Sequence, residues 1–232
     1  MGKTEFFKKI VGLLPGFWRR VVYLCYYRRL IKRGGFQTQE REAVYLRDVI
    51  KPGDWVLDIG ANIGHYTKCF SDLVGENGRV IAMEPIPKTF SFLASNTEQF
   101  RRSNISLLNV AASNRVQMTN MKIPFWDNGR PNYSRARLSS EATGLSVLAM
   151  PMDNLKIERP VSVVKIDVEG YELEVLQGMI RLIERDHPLM VVETESLEVV
   201  EWARSAGYET FRLEDSPNRI FIPAGSKGRT MN

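Results

Sequence analysis

The apolar positions of this chain fall into two alternating spacings. Trp55 to Ile59 is apolar or β-prone at nearly every position, the pattern of a strand buried on both faces, and Arg79 to Met83, Ile105 to Ala111, Val161 to Ile166 and Pro188 to Val192 repeat it. Between these runs the spacing becomes helical. Tyr66 to Leu73, Lys88 to Phe100, a single helix carrying Leu173, Val175, Leu176, Met179, Ile180 and Ile183, and Leu197 to Ala206 closed by Gly207 follow the strands in turn. Glu40 to Ile50 reads as a helix leading through Lys51-Pro52-Gly53-Asp54 into the first strand. Such alternation predicts an α/β chain with a doubly wound, mostly parallel sheet. Phe211 to Leu213 and Arg219 to Ile222 predict a terminal antiparallel hairpin. Residues 113–160 break the alternation. Pro124, Gly129, Pro131, Gly144 and Pro151 punctuate short strands and loops there, which read as an insertion over the substrate side of the sheet.

The first strand runs straight into a turn, Val56-Leu57-Asp58-Ile59-Gly60-Ala61-Asn62-Ile63-Gly64. Gly60 lets the backbone turn with φ > 0, and a helix beginning near Gly64 aims its free N–H groups back over the strand end. A ligand there meets backbone donors and the Asp58 carboxylate. A pyrophosphate would be repelled by that acid, and the dinucleotide fingerprint wants glycine where Asn62 stands. S-adenosylmethionine, with an ammonium, a sulfonium and no phosphate, suits it better. Asp58, Gly60, Ala61, Asn62 and Gly64 are therefore candidate cofactor contacts. Glu84 ends the next strand 20 residues after Gly64, where an acid accepts both ribose hydroxyl protons, a device that nicotinamide-binding folds share. Asn109, Val110 and Ala111, at the end of the third strand, offer backbone groups to an adenine ring.

Asp58, Glu84, Asp167 and Glu193 each stand at the carboxyl end of a predicted parallel strand, the edge outside which open α/β sheets bind ligands. On these residues the chain resembles the FkbM-type methyltransferase family of S-adenosylmethionine-dependent enzymes. The resemblance rests on Pro52-Gly53-Asp54 before the glycine turn, on Glu84-Pro85, on Lys165-Ile166-Asp167-Val168-Glu169-Gly170-Tyr171-Glu172 with Val175-Leu176-Gln177-Gly178, and on Pro188 running to Glu193. It covers roughly residues 40 to 215. The Lys-Ile-Asp-Val-Glu-Gly run is its specific part. The resemblance implies a seven-stranded, Rossmann-like methyltransferase sheet and an O-methyltransferase acting on a hydroxyl, commonly of a sugar in a glycoconjugate, glycolipid or natural product. The insertion and residues 1–33 lie outside the motifs, where the small-molecule or glycan acceptor is decided.

Methyl transfer from a sulfonium is an in-line displacement, with the acceptor oxygen held about 3 to 3.5 Å from the methyl carbon while its proton is removed. Asp167, Glu169, Glu193 and His65 lie at the correct rim for this, with Lys165 to orient a carboxylate. Asp167 is the first choice as base, with Glu169 opening the following helix. Glu195 replaces Glu193 if the strand ends two residues later. As an alternative, Asp167 and Glu193 hold one Mg²⁺ that lowers the pKa of the acceptor hydroxyl. His65 reads as a packing residue, and His187 sits at the opposite edge. Phe125, Trp126, Arg130, Tyr133, Arg135 and Arg137 of the insertion are either contacts for a sugar or an anionic group, or ordinary loop packing.

Two other function classes are open. An amino-group methyltransferase acting on nucleic acid fits the basic N-terminus, but Asp167-Val168-Glu169-Gly170 stands where such enzymes place Asn or Asp before Pro-Pro and an aromatic. Nucleic acid is thereby disfavoured as a partner. A non-catalytic, membrane-associated module that binds S-adenosylmethionine would not need the intact row of acids.

With 232 residues and 44% hydrophobic content, one domain with a substantial core is expected. The total charge of +5 hides an asymmetry: residues 1–33 carry nine Lys or Arg against Glu5, a net of +8, which leaves −3 for the rest. Those bases interleave with apolar side chains from Phe6 to Tyr27, broken near Pro15-Gly16. Residues 1–35 therefore read as a basic amphipathic helical segment, ending at Gly34-Gly35, that either lies on an anionic membrane or caps the domain. Residues 36–232 read as the cofactor-binding domain. No apolar run approaches the roughly 18 residues of a membrane span, and no signal cleavage site follows Arg19-Arg20. Cys25 and Cys69 fit free thiols in a reducing compartment. These features predict a cytoplasmic protein, with the inner face of a membrane as the site of any peripheral contact. The sequons at Asn104 and Asn132 then read as chance matches.

Overall fold

The computed structural model describes residues 11, 14–38, 40–126, 129, 131–139 and 144–225. Two helices, α1 (Gly16–Lys32) and α2 (Arg41–Val49), precede β1 (Trp55–Ile59), α3 (His65–Val74), β2 (Arg79–Met83), α4 (Pro87–Thr97) and β3 (Ile105–Leu108). A middle group follows, β4 (Ala111–Ala112), β5 (Gln117–Lys122), β6 (Arg137–Ser139) and β7 (Leu145–Met150). The chain then resumes with β8 (Val161–Ile166), α5 (Glu172–Gln177), α6 (Ile180–Asp186), β9 (Leu189–Glu193), α7 (Leu197–Ser205), β10 (Tyr208–Arg212) and β11 (Asn218–Pro223).

The main sheet has seven strands in the order β10-β11-β9-β8-β1-β2-β3, parallel from β9 to β3, with the terminal hairpin antiparallel. This is the doubly wound sheet that the alternating pattern predicts. Its strands are apolar throughout because both faces are covered. On one face Val56, Val80, Val163, Leu189 and Val191 pack with Leu46 of α2 and Phe70 and Val74 of α3. On the other, Leu57, Ile81, Val164 and Met190 pack with Val175 and Leu176 of α5, Leu182 of α6 and Val199 of α7. Side chains along β1 therefore alternate between two cores.

Three elements differ from the sequence pattern. The run from Ile105 to Ala111 divides between two sheets. Asn109 breaks it by donating its side-chain amide to the carbonyls of Glu84 and Pro85, at 2.8 and 3.1 Å, after which Ala111–Ala112 pairs with β7. The helix expected from Leu173 to Ile183 is two short ones. Asp153 caps the second by accepting the N–H groups of Arg181 and Leu182, both at 3.0 Å, while a Cβ on Gly178 would lie 1.9 Å from the Ser113 carbonyl oxygen. The middle segment is a real layer, a four-stranded sheet in the order β4-β7-β5-β6. Its core of Ala111, Met121, Ala136, Val147 and Ala149 is shared with Ile86 beside the main sheet, so the added layer is tied to the rim.

Helix α1 packs on α4 through Tyr23 and Tyr27, whose rings meet Phe92 edge-on at 6.5 and 6.1 Å, and Tyr27 also meets Phe36. Phe17 and Trp18 at its start are exposed. Phe6, Phe7, Ile10 and Leu13 of the expected amphipathic segment lie outside the described residues. Among the described residues no helix is long and apolar enough to cross a membrane, and both cysteines are free. The sequon residues Asn104 and Asn132 are buried; the Asn104 amide is spent on the carbonyls of Ser71 and Gly75.

Candidate active site

The chain winds outward from β1 through β2 to β3, then returns to begin β8 on the other side of β1. That reversal opens a crevice at the carboxyl ends of β1 and β8. The two ends are locked together there. The Asp167 N–H donates to the Ile59 carbonyl at 3.0 Å, and a Cβ on Gly60 (φ +83°) would lie 1.8 Å from the Asp167 carbonyl oxygen. Only glycine fits both the angle and the approach.

Above this junction lies a cleft holding about 1010 Å³ of empty space, open mouth included. Gly60 and Asn62 line it from the turn, Glu84 and Ala111 from one side, and Asp167, Glu169 and Glu193 from the other. Glu84 is the anchor. Its carboxylate accepts the N–H of Asn62 on one oxygen and the N–H of Ile86 on the other, both at 3.0 Å. Each oxygen keeps a lone-pair direction for a further donor.

The other candidates sit behind the surface. Asp58 is the fourth of five residues in β1, not its end, and faces the α3 side with Val56; the Thr67 hydroxyl donates to it at 2.5 Å and it is fully buried. Ala61 donates its N–H to the Met83 carbonyl, Gly64 (φ +98°) turns the chain into α3, and Asn109 ties β3 to the Glu84 strand; none of the three lines the cleft. Lys165 is buried beneath Asp167, with Nζ 3.6 Å from Oδ2 and 5.2 Å from the centre of the Tyr66 ring. That ring is fixed in turn, its hydroxyl donating to Glu40 at 2.7 Å. Nζ makes no hydrogen bond among the described residues, and the Asp167 carboxylate is its ion-pair partner.

The carboxylates crowd one another. Burial, reinforced by the negative charges of Asp167 and Asp58, pushes Glu84 up to about 7. Burial and Asp167 likewise raise Glu193 to about 7, and burial raises Asp58 to about 6. Glu169 is raised by burial and by Asp167, against an opposing pull from Arg135 and Arg137. Glu84, Asp167, Glu169 and Glu193 together give this cleft a carboxylate-rich lining that fits a positively charged ligand.

A profile of the methyltransferase FkbM domain matches residues 58–210, the span that carries the glycine turn and the acids around the cleft. The chain belongs to the FkbM methyltransferase family. Hexuronic acid methyltransferase AglP of Haloferax volcanii is 32% identical over 130 residues, covering 54% of this chain and 50% of that protein. A protein-L-isoaspartate O-methyltransferase of Triticum aestivum is 36% identical over 63 residues, 27% of this chain and 26% of the wheat protein. The chain thus spans half or less of the length of these curated relatives. In fold it is similar to the methyltransferase FkbM crystal structure from Methylobacillus flagellatus, with a TM-score of 0.54 at 17% identity over 78% of this chain and 50% of that one.

Within the FkbM domain, the residue expected to open the helix after β8 lies before it. Glu169 has φ +47° and Gly170 +84°, so α5 starts only at Glu172, whose carboxylate accepts the Gly170 N–H at 2.6 Å. Glu169 is thus a non-glycine residue in the left-handed region at the cleft, as Asn62 (φ +51°) also is. Glu195 pairs with Arg212 at 2.6 Å and does not line this cleft, whereas Glu193, the last residue of β9, does. His65 stacks on Phe36 at 4.1 Å and does not line the cleft.

The second sheet supplies lining that the sequence reading missed, Met121, Ala136 and Leu138, beside the anticipated Tyr133 and Arg135. Phe125 and Trp126 are exposed outside the cleft, and Arg130 lies outside the described residues. Among the described residues no group of three or more His, Cys, Asp or Glu side chains is placed to hold a metal ion. The Mg²⁺ alternative is left with the pair Asp167 and Glu193, fewer ligands than such a group.

Proposed function

We propose that this chain is an S-adenosylmethionine-dependent O-methyltransferase acting on a sugar hydroxyl in a glycoconjugate, glycolipid or natural product. The observation that carries this reading is the carboxylate-lined cleft at the junction of β1 and β8, closed from below by Gly60 against Asp167. When bound, S-adenosylmethionine supplies a methyl group activated on a sulfonium. The chain supplies the rest. Glu84, already fixed by two backbone N–H groups, has acceptor capacity left for the two ribose hydroxyls. Asn62 and Gly60 line the turn beside it, and the buried Asp58 adds negative charge from below.

Asp167 takes the proton of the acceptor hydroxyl as general base. Lys165 acts as a positioning residue, its ammonium 3.6 Å behind the carboxylate and seated on Tyr66. Glu193 and Glu169 flank the reacting centre and strengthen the negative field that a sulfonium prefers. The named activity of the archaeal relative, a hexuronic acid methyltransferase, supports a sugar as the acceptor. Residues 36–232 form the methyltransferase domain in this reading. Exposed Phe17 and Trp18 beside Arg19 and Arg20 at the start of α1 support contact of this helix with an anionic membrane surface, while Tyr23 and Tyr27 further along hold it on α4.

Calorimetric titration with S-adenosylmethionine and transfer of labelled methyl to sugar-containing extracts test the assignment together. Binding with transfer to a hydroxyl is expected. Binding without any transfer would favour a non-catalytic module, and absence of binding would end the reading.

A further inference from the structure

The cleft has two walls of opposite sign. Glu84, Asp167, Glu169 and Glu193 stand on the wall made by the main sheet, whereas Arg135 lines the wall made by the second sheet. Arg137, the first residue of β6, is two positions further on and exposed, as Arg135 is. A cofactor with net positive charge accounts for the acids. It leaves the arginines unexplained.

Their position along the cleft is informative. Arg135 and Arg137 both pull on the Glu169 carboxyl, against burial and the charge of Asp167. Arg135 lines the same cleft as Glu169 and the proposed base, Asp167. The turn Tyr133–Arg135 that carries Arg135 is also held in place. The Lys88 ammonium lies 4.7 Å over the Tyr133 ring and 3.4 Å from its hydroxyl, the Arg135 N–H donates to the Asn132 carbonyl, and the next residue, Ala136, is buried in the core shared with Ile86.

We propose that Arg135, with Arg137 beside it, forms an anion subsite for the methyl acceptor, which is therefore a sugar bearing a carboxylate or a phosphate. This rests on the methyltransferase reading above. A guanidinium fork grips a carboxylate or phosphate through paired N–H donors, while a neutral sugar offers it only hydroxyls. The acids on the facing wall disfavour such a group there. An acceptor pinned by its anion at Arg135 is held in one orientation, with a neighbouring hydroxyl turned toward Asp167.

The test uses the full chain loaded with S-adenosylhomocysteine, titrated with D-glucuronate, D-glucose 6-phosphate and D-glucose. At least one anionic sugar should bind tenfold or more tightly than glucose, and which one binds identifies carboxylate or phosphate. Arg135→Ala should abolish that preference and Arg135→Lys should keep part of it, with the melting temperature and the affinity for S-adenosylhomocysteine unchanged. Equal binding of glucose and both anions, a preference that survives both Arg135→Ala and Arg137→Ala, or an equal loss of S-adenosylhomocysteine affinity in Arg135→Ala would overturn the proposal; the last would assign the arginine to the cofactor's own carboxylate. If S-adenosylhomocysteine fails to bind the unaltered chain, the methyltransferase reading is what fails. The same three sugars titrated into the unliganded protein then decide the anion subsite separately.

Discussion

If the acids of the cleft hold the cationic cofactor, the affinity for S-adenosylmethionine must rise with pH. Glu84 and Glu193 are each pushed up to about 7, chiefly by burial and then by the charge of Asp167. A carboxyl of that pKa is about nine-tenths ionised at pH 8 and about one-tenth ionised at pH 6. A bound sulfonium and ammonium favour the ionised form, so binding releases protons and is stronger where the carboxyl is already ionised. One such group predicts that the Kd grows about tenfold from pH 8 to pH 6, and two acting together predict a still larger change. Calorimetry at pH 6, 7 and 8, in two buffers of different ionisation enthalpy, measures both the slope and the protons released. S-adenosylhomocysteine, without the sulfonium charge, should give a shallower slope, and Glu84→Gln should flatten it for both ligands. An affinity that stays level from pH 6 to pH 8, or uptake of protons on binding, would refute the reasoning.

Other outcomes follow from the same geometry. In the unliganded protein the folded form of Glu84 holds its proton to about pH 7, above the usual range of an unfolded Glu. Stability should then be full near pH 4 and fall as the pH rises through 7, by on the order of 2 to 3 kcal/mol for this group, seen as a lower melting temperature at pH 8 that cofactor restores. Gly60→Ala places a methyl against the Asp167 carbonyl at a positive φ and should cost about 3 kcal/mol or more of stability in a denaturant titration; a wild-type midpoint would mean the junction is not closed. Asp167→Asn should lower turnover about 10²- to 10⁴-fold while the cofactor Kd changes by no more than a few fold, and retained turnover would move the base elsewhere. Replacing exposed Phe17 and Trp18 with glutamate should abolish flotation with anionic liposomes. Flotation that persists would place any membrane contact on another surface.

Much of this arrangement was legible because the main sheet is buried on both faces and so prints continuous apolar runs. The glycine turn and the acids Glu84, Asp167 and Glu193 could be placed from the ends of those runs. Asp58 was misplaced by one step of the pleat: it shares a face with Val56 and so turns into the α3 side. Lys165 carried a signal, since a lysine among valines in a doubly covered strand must meet acids or a ring. The break at Gly178 was hidden because it depends on Asp153 and Ser113, contacts that no local pattern records. The second sheet was equally opaque. Its strands are short, expose one face and close through pairing of β4 with β7, a contact between residues far apart in sequence. That layer is why Met121, Ala136 and Leu138 were absent from the candidate cleft.

A crystal structure of the chain with S-adenosylhomocysteine tests the central claim most directly. The account requires the ribose hydroxyls on the Glu84 carboxylate, the adenine beside Ile86 and Ala111, and the sulfur facing Asp167 across the end of β8. A nucleoside bound outside this cleft, or a sulfur turned away from Asp167, would contradict it.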